Sequence, residues 1–218
     1  MIETVDLTKS FGPKTAVNGL SLRVEAGEVM GFLGPNGSGK TTTIRLLMGL
    51  LRPTSGRAAI LGRDCHTEAV ALKREVGYLP DEPFLYPYLT GLEILELVAG
   101  LHGFPRDESR RRAGGLAERL GLGAAAGAYS VTYSLGMKKR LALAMALIHE
   151  PRVLIMDEPT NGLDPKGARE MRATIAELAA SGCTIFLSTH LLEAAEKLCH
   201  RVAIIRDGGL QALSLIHI

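Results

Sequence analysis

Short apolar runs alternate with segments of helical periodicity along most of the chain. Strands are predicted where apolar residues run together or alternate with polar ones, at 2–7, 20–24, 28–33, 57–61, 75–79, 153–156, 184–188 and 202–205. Helical periodicity is predicted at 40–51, 165–180 and 191–199, and it is the only pattern between about 90 and 150. Continuous apolar strands flanked by helices are typical of a parallel sheet buried on both faces. The pattern therefore predicts an α/β core that is interrupted by an all-helical insert.

The length of 218 residues favours a single domain. We expect this domain to cover residues 1–212, with its core at about 1–86 and 152–212 and a helical subdomain at about 87–151. Residues 213–218 read Leu-Ser-Leu-Ile-His-Ile, which resembles the in-frame translation of an adapter used in DNA library preparation. We interpret 213–218 as a sequencing artefact and expect the natural C-terminal extension to be missing.

Composition and charge exclude some classes of protein. Lys and Arg total 25 against 23 Asp and Glu, a formal net charge of +2, which argues against a domain that holds nucleic acid with a large basic field. Three scattered cysteines (Cys65, Cys183 and Cys199) indicate a reducing compartment without a disulfide framework. The longest apolar stretch, 141–148, is too short to span a bilayer. If the chain serves a membrane, we expect a separate subunit to do the spanning.

A glycine-rich loop between a predicted strand and a predicted helix carries the first chemical motif. The motif and its next residue are Gly34, Pro35, Asn36, Gly37, Ser38, Gly39, Lys40, Thr41 and Thr42. Small residues let backbone N–H groups converge on a phosphate, and the start of the helix adds its positive end. In this P-loop pattern Lys40 binds the β- and γ-phosphates, and the Thr41 hydroxyl binds Mg²⁺. The alternative is a glycine-rich turn without a ligand, but the intact Gly-Lys-Thr favours the phosphate site.

A second motif follows the apolar strand at 153–156, where Asp157 and Glu158 come one after the other. Ligands bind outside the carboxyl ends of strands in such sheets. Asp157 is therefore placed to hold the shell of Mg²⁺. Glu158 is placed to orient and deprotonate an attacking water. An acidic turn after a buried strand is the alternative, and the P-loop earlier in the chain makes it the minor interpretation.

Four further motifs stand in a fixed order along the chain. They are Leu79-Pro80-Asp81, Tyr133-Ser134-Leu135-Gly136-Met137, Asn161-Gly162-Leu163-Asp164-Pro165 and the single residue His190. Together with the P-loop and the paired carboxylates, they resemble the motifs of the ATP-binding cassette (ABC) ATPases over residues 2–210. The resemblance implies an α/β P-loop NTPase fold with a RecA-like core. It also implies a mostly parallel sheet, N-terminal antiparallel strands and an inserted all-helical subdomain.

The resemblance assigns a role to each motif. It implies that Phe11 stacks on adenine with Val17 beside it, and that His190 contacts the γ-phosphate. Asp81 stands where the family has the glutamine of its Gln loop, and as a carboxylate it could still reach Mg²⁺. Of the family signature Leu-Ser-Gly-Gly-Gln, only Ser134 and Gly136 are retained.

In the family, two cassettes face each other and sandwich ATP, so the resemblance implies a shared site. Each site takes its P-loop, Asp157 and Glu158 from one chain, and Ser134 and Gly136 from the other. The implied ligands are ATP and Mg²⁺, and the implied second ATPase subunit is a copy or a paralogue. The Asn161 to Pro165 segment matches the D-loop, which passes between the subunits.

The implied function is to power transport, specifically export, through a separate ABC transmembrane subunit at the cytoplasmic face of the membrane. Phe84, Tyr86 and Tyr88 lie between Pro83 and Leu89, close to where the family docks its membrane subunit. We expect an exposed apolar groove there, and packing between the core and the helical insert is the alternative. Two other functions stay open: a non-transport ABC ATPase acting on ribosomes or DNA, and a P-loop kinase or GTPase. We expect no nucleic-acid partner.

Overall fold

The computed structural model describes residues 1–215. Its strands are β1 (Ile2–Phe11), β2 (Lys14–Val24), β3 (Val29–Leu33), β4 (Ser55–Ile60), β5 (Arg63–Asp64), β6 (Val76–Leu79), β7 (Val153–Asp157), β8 (Thr184–Thr189), β9 (Arg201–Arg206) and β10 (Gly209–Leu215). Its α-helices are α1 (Lys40–Leu47), α2 (Ala69–Leu72), α3 (Gly91–Leu101), α4 (Arg106–Arg119), α5 (Leu135–Leu147), α6 (Pro165–Ala180) and α7 (Leu192–Leu198). Short 3₁₀ turns lie at Gly123–Ala125 and Ser130–Thr132.

Two sheets build the molecule. The first has the strand order β2-β1-β4-β5 and is antiparallel throughout. The second has the order β10-β9-β3-β8-β7-β6, in which the pairs from β9 to β6 are parallel and β10 is antiparallel to β9. This arrangement confirms the predicted fold class of a mostly parallel sheet with N-terminal antiparallel strands.

Alternate side chains of the central strands pack into two different cores. On β7, Leu154 and Met156 belong to the core shared with α3 to α6, whereas Val153 and Ile155 belong to the core shared with α1 and the first sheet. Every residue of β7 is buried. A strand buried on both faces has no polar face, which is why the sequence shows a continuous apolar run there. That run ends at Asp157 and so delivers its carboxylate to the edge of the sheet.

Helices α3, α4 and α5 fill the interval between β6 and β7, as the helical periodicity predicts. Helix α3 begins with a capping box, in which the Thr90 hydroxyl accepts from the Glu93 N–H and the Glu93 carboxylate accepts from the Thr90 N–H. Helix α5 begins at Ser134, whose side-chain oxygen accepts a hydrogen bond from the Met137 N–H. Ser134, the retained serine of the signature motif, is thus the N-cap of a helix.

The structure differs from the sequence prediction at several element ends. Helix α1 ends at Leu47 rather than at 51, because Gly49 has a φ of +65° and ends the helix. The predicted strands at 2–7 and 20–24 are the outer parts of a longer hairpin that turns at Gly12 and Pro13. Strand β10 is absent from the prediction. Its residues 213–215 pair with β9 through backbone bonds that any side chain permits, so the adapter interpretation stays a prediction, and 216–218 lie outside the described residues.

Within residues 1–215, the structure holds no helix with the length and apolar character needed to cross a bilayer. The three cysteines are unpaired and buried, at Cys65, Cys183 and Cys199. Burial raises the pKa of the Cys65 and Cys199 thiols to about 12, so both thiols stay protonated at neutral pH.

Candidate nucleotide-binding site

The P-loop lies between β3 and α1 and lines a cavity of about 260 Å³. At two of its glycines the surrounding backbone leaves no room for a side chain. A Cβ on Gly34 would lie 2.4 Å from the Ile205 carbonyl oxygen, and one on Gly39 would lie 2.3 Å from the Ala16 carbonyl oxygen. Gly39 also has a φ of +107°, which a residue with a side chain rarely adopts. The loop therefore keeps its backbone N–H groups close to the start of α1.

Lys40 is the first residue of α1, and its side chain is buried at the floor of the cavity. Its ammonium donates to the Gly34 carbonyl oxygen at 2.7 Å and lies 3.3 Å from the Glu158 Oε1. The lysine thus pairs with the loop and with Glu158. Both contacts are ones that a phosphate oxygen could replace.

Asp157 ends β7 and Glu158 follows it, and both are held by the neighbouring strand β8. The Ser188 hydroxyl donates to the Asp157 carboxylate at 2.5 Å and accepts from the Glu158 N–H at 3.0 Å. Glu158 has a φ of +47°, a left-handed conformation that persists in a side-chain-bearing residue only where its surroundings enforce it. Ser188 therefore fixes the turn that aims the Glu158 side chain into the P-loop cavity, whose lining includes Glu158.

His190 follows β8 and reaches the same carboxylate. Its Nδ1 lies 3.0 Å from the Glu158 Oε2. The two oxygens of Glu158 therefore face two different cationic or hydrogen-bonding groups, Lys40 and His190. Tyr78 on the adjacent β6 is no competing base, because burial, followed by the negative charge of Asp157, raises its pKa to about 12.

The residues predicted for the adenine end occupy different environments. Phe11 lies at the end of β1 with its ring half exposed, and the Lys9 ammonium sits 5.0 Å from the ring centroid. Val17 differs from the expectation, since its side chain is fully buried in the core between the first sheet and α1. Val17 therefore supports the strand from beneath, whereas Lys14 and Ala16 line the P-loop cavity. Phe11 is not among the residues that line this cavity.

Asp81 follows β6 and lines the P-loop cavity as predicted. Its carboxylate contacts two neighbouring side chains. Oδ1 lies 3.3 Å from the Lys139 ammonium and 3.1 Å from the Asn161 side-chain nitrogen. The loops that carry Asp81 and Asn161 are thereby joined at the edge of the site.

Ser134 and Gly136, which the resemblance assigns to the site of a second chain, lie apart from the P-loop of their own chain. Among the described residues, they line a separate cavity of about 450 Å³ together with Gly162, Leu163 and Asp164, and neither borders the P-loop cavity. A single chain therefore presents two separate cavities. One holds the P-loop and the carboxylates, and the other holds a helix N-terminus beside the Asn161 to Pro165 loop.

The residues present fit a Mg²⁺ nucleotide. The Ser38 hydroxyl is buried in the P-loop without a hydrogen-bond partner among the described residues, and a Cβ on Gly37 would meet open space. Thr41 is exposed at the start of α1. Thr41 and Asp157 are the oxygen donors that would hold Mg²⁺, a cation that takes oxygen ligands. A bound Mg²⁺ would neutralise part of the phosphate charge.

A sequence profile described as ABC transporter matches residues 17–161 of the chain. The chain belongs to the ABC transporter family. It is 45% identical over 207 residues to the uncharacterized ABC transporter ATP-binding protein YdbJ of Bacillus subtilis (strain 168), a match that covers 94% of this chain and 66% of that protein. It is 42% identical over 211 residues to the bacitracin transport ATP-binding protein BcrA of Bacillus licheniformis, covering 96% of this chain and 68% of that protein.

Solved ABC cassettes share the fold. A dimeric cassette in a post-hydrolysis state bound to ADP and Pi has a TM-score of 0.92 and 26% sequence identity, and the match covers 100% of this chain and 99% of that chain. The resemblance drawn from the motifs is therefore confirmed at the level of family and fold. The chain spans between 58% and 68% of the length of the first curated ABC relatives it matches.

Two side chains that contact the site residues, Ser188 and Lys139, could not be identified from the sequence. Ser188 lies in an apolar strand, where a serine is usually a packing detail, although its position two residues before His190 is a usable signal. Lys139 lies in a basic run at the start of α5, and nothing in that run marks it as buried. Both become visible only when strands and helices distant in sequence are brought together.

Proposed function

We propose that this chain is the ATP-binding and ATP-hydrolysing subunit of a membrane exporter and that it works with Mg²⁺. The observation that carries the proposal is the contact of Lys40 and His190 with Glu158 at the wall of the P-loop cavity. This arrangement provides a phosphate ligand, a base and a group that orients the base in one place. The name of one relative, the Nod factor export ATP-binding protein I of Paraburkholderia xenovorans (strain LB400), supports export as the direction.

The residues act in a defined order in this proposal. Lys40 leaves the Gly34 carbonyl oxygen and the Glu158 carboxylate to bind phosphate oxygens, which frees one oxygen of Glu158. That oxygen then accepts a proton from the attacking water, as a general base does. His190 holds the other oxygen at 3.0 Å and fixes the direction of the carboxylate. In this proposal the contact with Lys40 therefore keeps the Glu158 carboxylate from acting as a base until phosphate binds.

A second copy or a paralogue completes each site. The two half sites within one chain are separate cavities, and a head-to-tail pair would bring Ser134 and Gly136 of one chain to the P-loop of the other. The Ser134 hydroxyl and the first N–H groups of α5 would face the γ-phosphate, where a helix N-terminus favours negative charge. The dimeric ADP- and Pi-bound cassette supports this pairing.

Turnover should therefore depend on protein concentration. We expect the purified chain to hydrolyse ATP in the presence of Mg²⁺, with a specific activity that rises as the protein is concentrated, because only paired chains hold a complete site. The measurement is phosphate release per mole of chain over a dilution series. A specific activity that stays flat from dilute to concentrated protein would contradict the shared site, and a lack of Mg²⁺-dependent hydrolysis throughout would contradict the ATPase proposal.

The partner proposed for export is a separate transmembrane subunit at the cytoplasmic face of the membrane. Phe84, Tyr86 and Tyr88 are all more than half exposed, as the predicted apolar groove requires. Tyr129 and Val131 extend this apolar patch, because the Ser130 hydroxyl between them donates to the Tyr86 carbonyl oxygen at 2.7 Å. Contiguous exposed apolar surface is typical of an interaction site. We propose that a helix of the membrane subunit packs here.

Replacing two aromatic residues of this patch should release the membrane subunit. We expect the double variant Phe84→Ser, Tyr88→Ser to lose roughly 10-fold or more of its co-purification with the membrane subunit, since aromatic anchors dominate interface energies. Phosphate release by the isolated variant should stay at the native level. The control is Val70→Ser, which removes an exposed apolar side chain of α2. Equal loss of binding in the control, or full binding by the double variant, would contradict the docking patch.

A further inference from the structure

Lys139 is a fully buried lysine on α5, with only 1% of its surface exposed. Its ammonium has two acceptors among the described residues. One is the Glu158 backbone carbonyl oxygen at 2.9 Å, and the other is the Asp81 Oδ1 at 3.3 Å. A buried ammonium is stable only when it is paired and hydrogen-bonded. These two contacts therefore fix both the lysine and the groups that it touches.

The contact of Lys139 with Asp81 neutralises a carboxylate that lines the P-loop cavity. Asp81 adds a negative charge to a cavity that is built for phosphates. An unpaired carboxylate would repel those phosphates, and Lys139 places a full positive charge against it. Asn161 donates to the same carboxylate at 3.1 Å, so the Asp81 carboxylate joins three elements: the loop after β6, helix α5 and the loop after β7.

The contact with Glu158 ties α5 to the proposed base. Glu158 has the strained φ of +47°, and Lys139 holds its carbonyl oxygen from one side while Ser188 holds its N–H from the other. The turn that directs the Glu158 carboxylate is thus clamped at both ends of the residue. Loss of either clamp lets a left-handed glutamate relax toward a commoner conformation.

Helix α5 carries these contacts to the opposite half site. Lys139 lies five residues after Ser134 on one unbroken helix, which is about 7.5 Å along the axis. The N-terminus of α5 borders the second cavity, where a partner's nucleotide would bind. A displacement of Lys139 therefore moves Ser134 and Gly136 with it, because a helix of this length is a rigid segment.

We propose that Lys139 is a positioning residue that neutralises Asp81, holds the turn at Glu158 and couples the filling of its own P-loop to the surface that pairs with a second chain. The proposal rests on the proposed function, since it takes the P-loop cavity to be an ATP site. Lys139 and Asp81 act as one unit in it. Removing either charge alone is harmful, and replacing both by neutral amides restores the balance.

A double-mutant cycle tests this unit. We expect Lys139→Gln and Asp81→Gln each to lower kcat at saturating ATP by roughly 10- to 100-fold, the effect of a misplaced reacting group. The double variant should return to within about threefold of the native kcat, because paired amides keep the hydrogen bonds without net charge. The control is Lys197→Gln, which breaks an exposed lysine–glutamate pair on α7 and should leave kcat unchanged.

A second measurement does not depend on turnover. In the Glu158→Gln background, sedimentation with ATP reports pairing of the chains, and a fluorescent ATP analogue reports binding to the single chain. We expect Lys139→Gln to raise the ATP concentration for half-maximal pairing roughly 10-fold, while analogue binding changes less than about threefold. A lysine that only stabilises the fold would lower the unfolding temperature of the nucleotide-free chain and leave ATP-dependent pairing unchanged.

The outcomes separate this proposal from the proposed function. If the native chain hydrolyses ATP and the double variant falls by the product of the two single effects, Lys139 and Asp81 act independently and the proposal is wrong. Native activity in Lys139→Gln would overturn it as well. If Lys139→Gln alone does not fold, folding and turnover of the double variant support the unit, and their absence refutes it. A native chain without ATPase activity refutes the proposed function instead, and this proposal with it.

Discussion

Glu158→Gln should bind ATP normally and turn it over roughly 10²–10⁴ times more slowly than the native chain, the usual contribution of a general base. Glutamine keeps the size of the side chain and can still contact His190, so the cavity keeps its shape. It cannot accept a proton from water at neutral pH. The chain should therefore stall after ATP binding, with two copies held together around unhydrolysed nucleotide.

Two measurements on Glu158→Gln check this result. Phosphate release over the first turnovers gives the rate, and sedimentation in the presence of ATP shows whether the chains remain paired. Glu177→Gln is the matched control, because Glu177 is an exposed carboxylate on α6, and it should hydrolyse ATP at the native rate. A Glu158→Gln variant with native turnover would mean that another group takes the proton.

The phosphate half of the site could be predicted from sequence because its parts are local. The P-loop is one continuous segment. Its glycines are needed because a side chain would clash with neighbouring backbone, as at Gly34 and Gly39. Asp157 and Glu158 follow a strand that is recognisable by its apolar run, and the rule for carboxyl ends of parallel strands brings them to the loop. Local chemistry and a general rule of topology were sufficient for these residues.

Contacts between distant segments could not be predicted in the same way. Lys139 and Asp81 are 58 positions apart, and the basic run around Lys139 is typical of a solvated helix face. Val17 lies on β2 among polar residues, and this pattern does not show that its side chain packs into the core between the first sheet and α1. In both cases the burial depends on packing between elements, which sequence periodicity does not contain.

The separation of the two cavities has a testable consequence at Gly136. A Cβ there would meet only the Leu163 side chain, at 3.8 Å, so an aspartate fits within its own chain. An acidic residue in the first turn of α5 also agrees with the helix dipole. Gly136→Asp should therefore fold as well as the native chain, yet its carboxylate would face the phosphates bound by a partner and would repel them.

We expect Gly136→Asp alone to lose roughly 10²-fold or more in turnover, the scale on which loss of a transition-state contact acts, while Gly115→Asp on the exposed face of α4 retains native turnover. The decisive sample mixes Gly136→Asp with Glu158→Gln before ATP is added. Each mixed pair holds one intact site, made from the Glu158 of one chain and the Gly136 of the other. Random pairing makes about half of the dimers mixed, so the mixture should recover up to about a quarter of native turnover. A mixture no more active than its two components would show that each site is built within one chain.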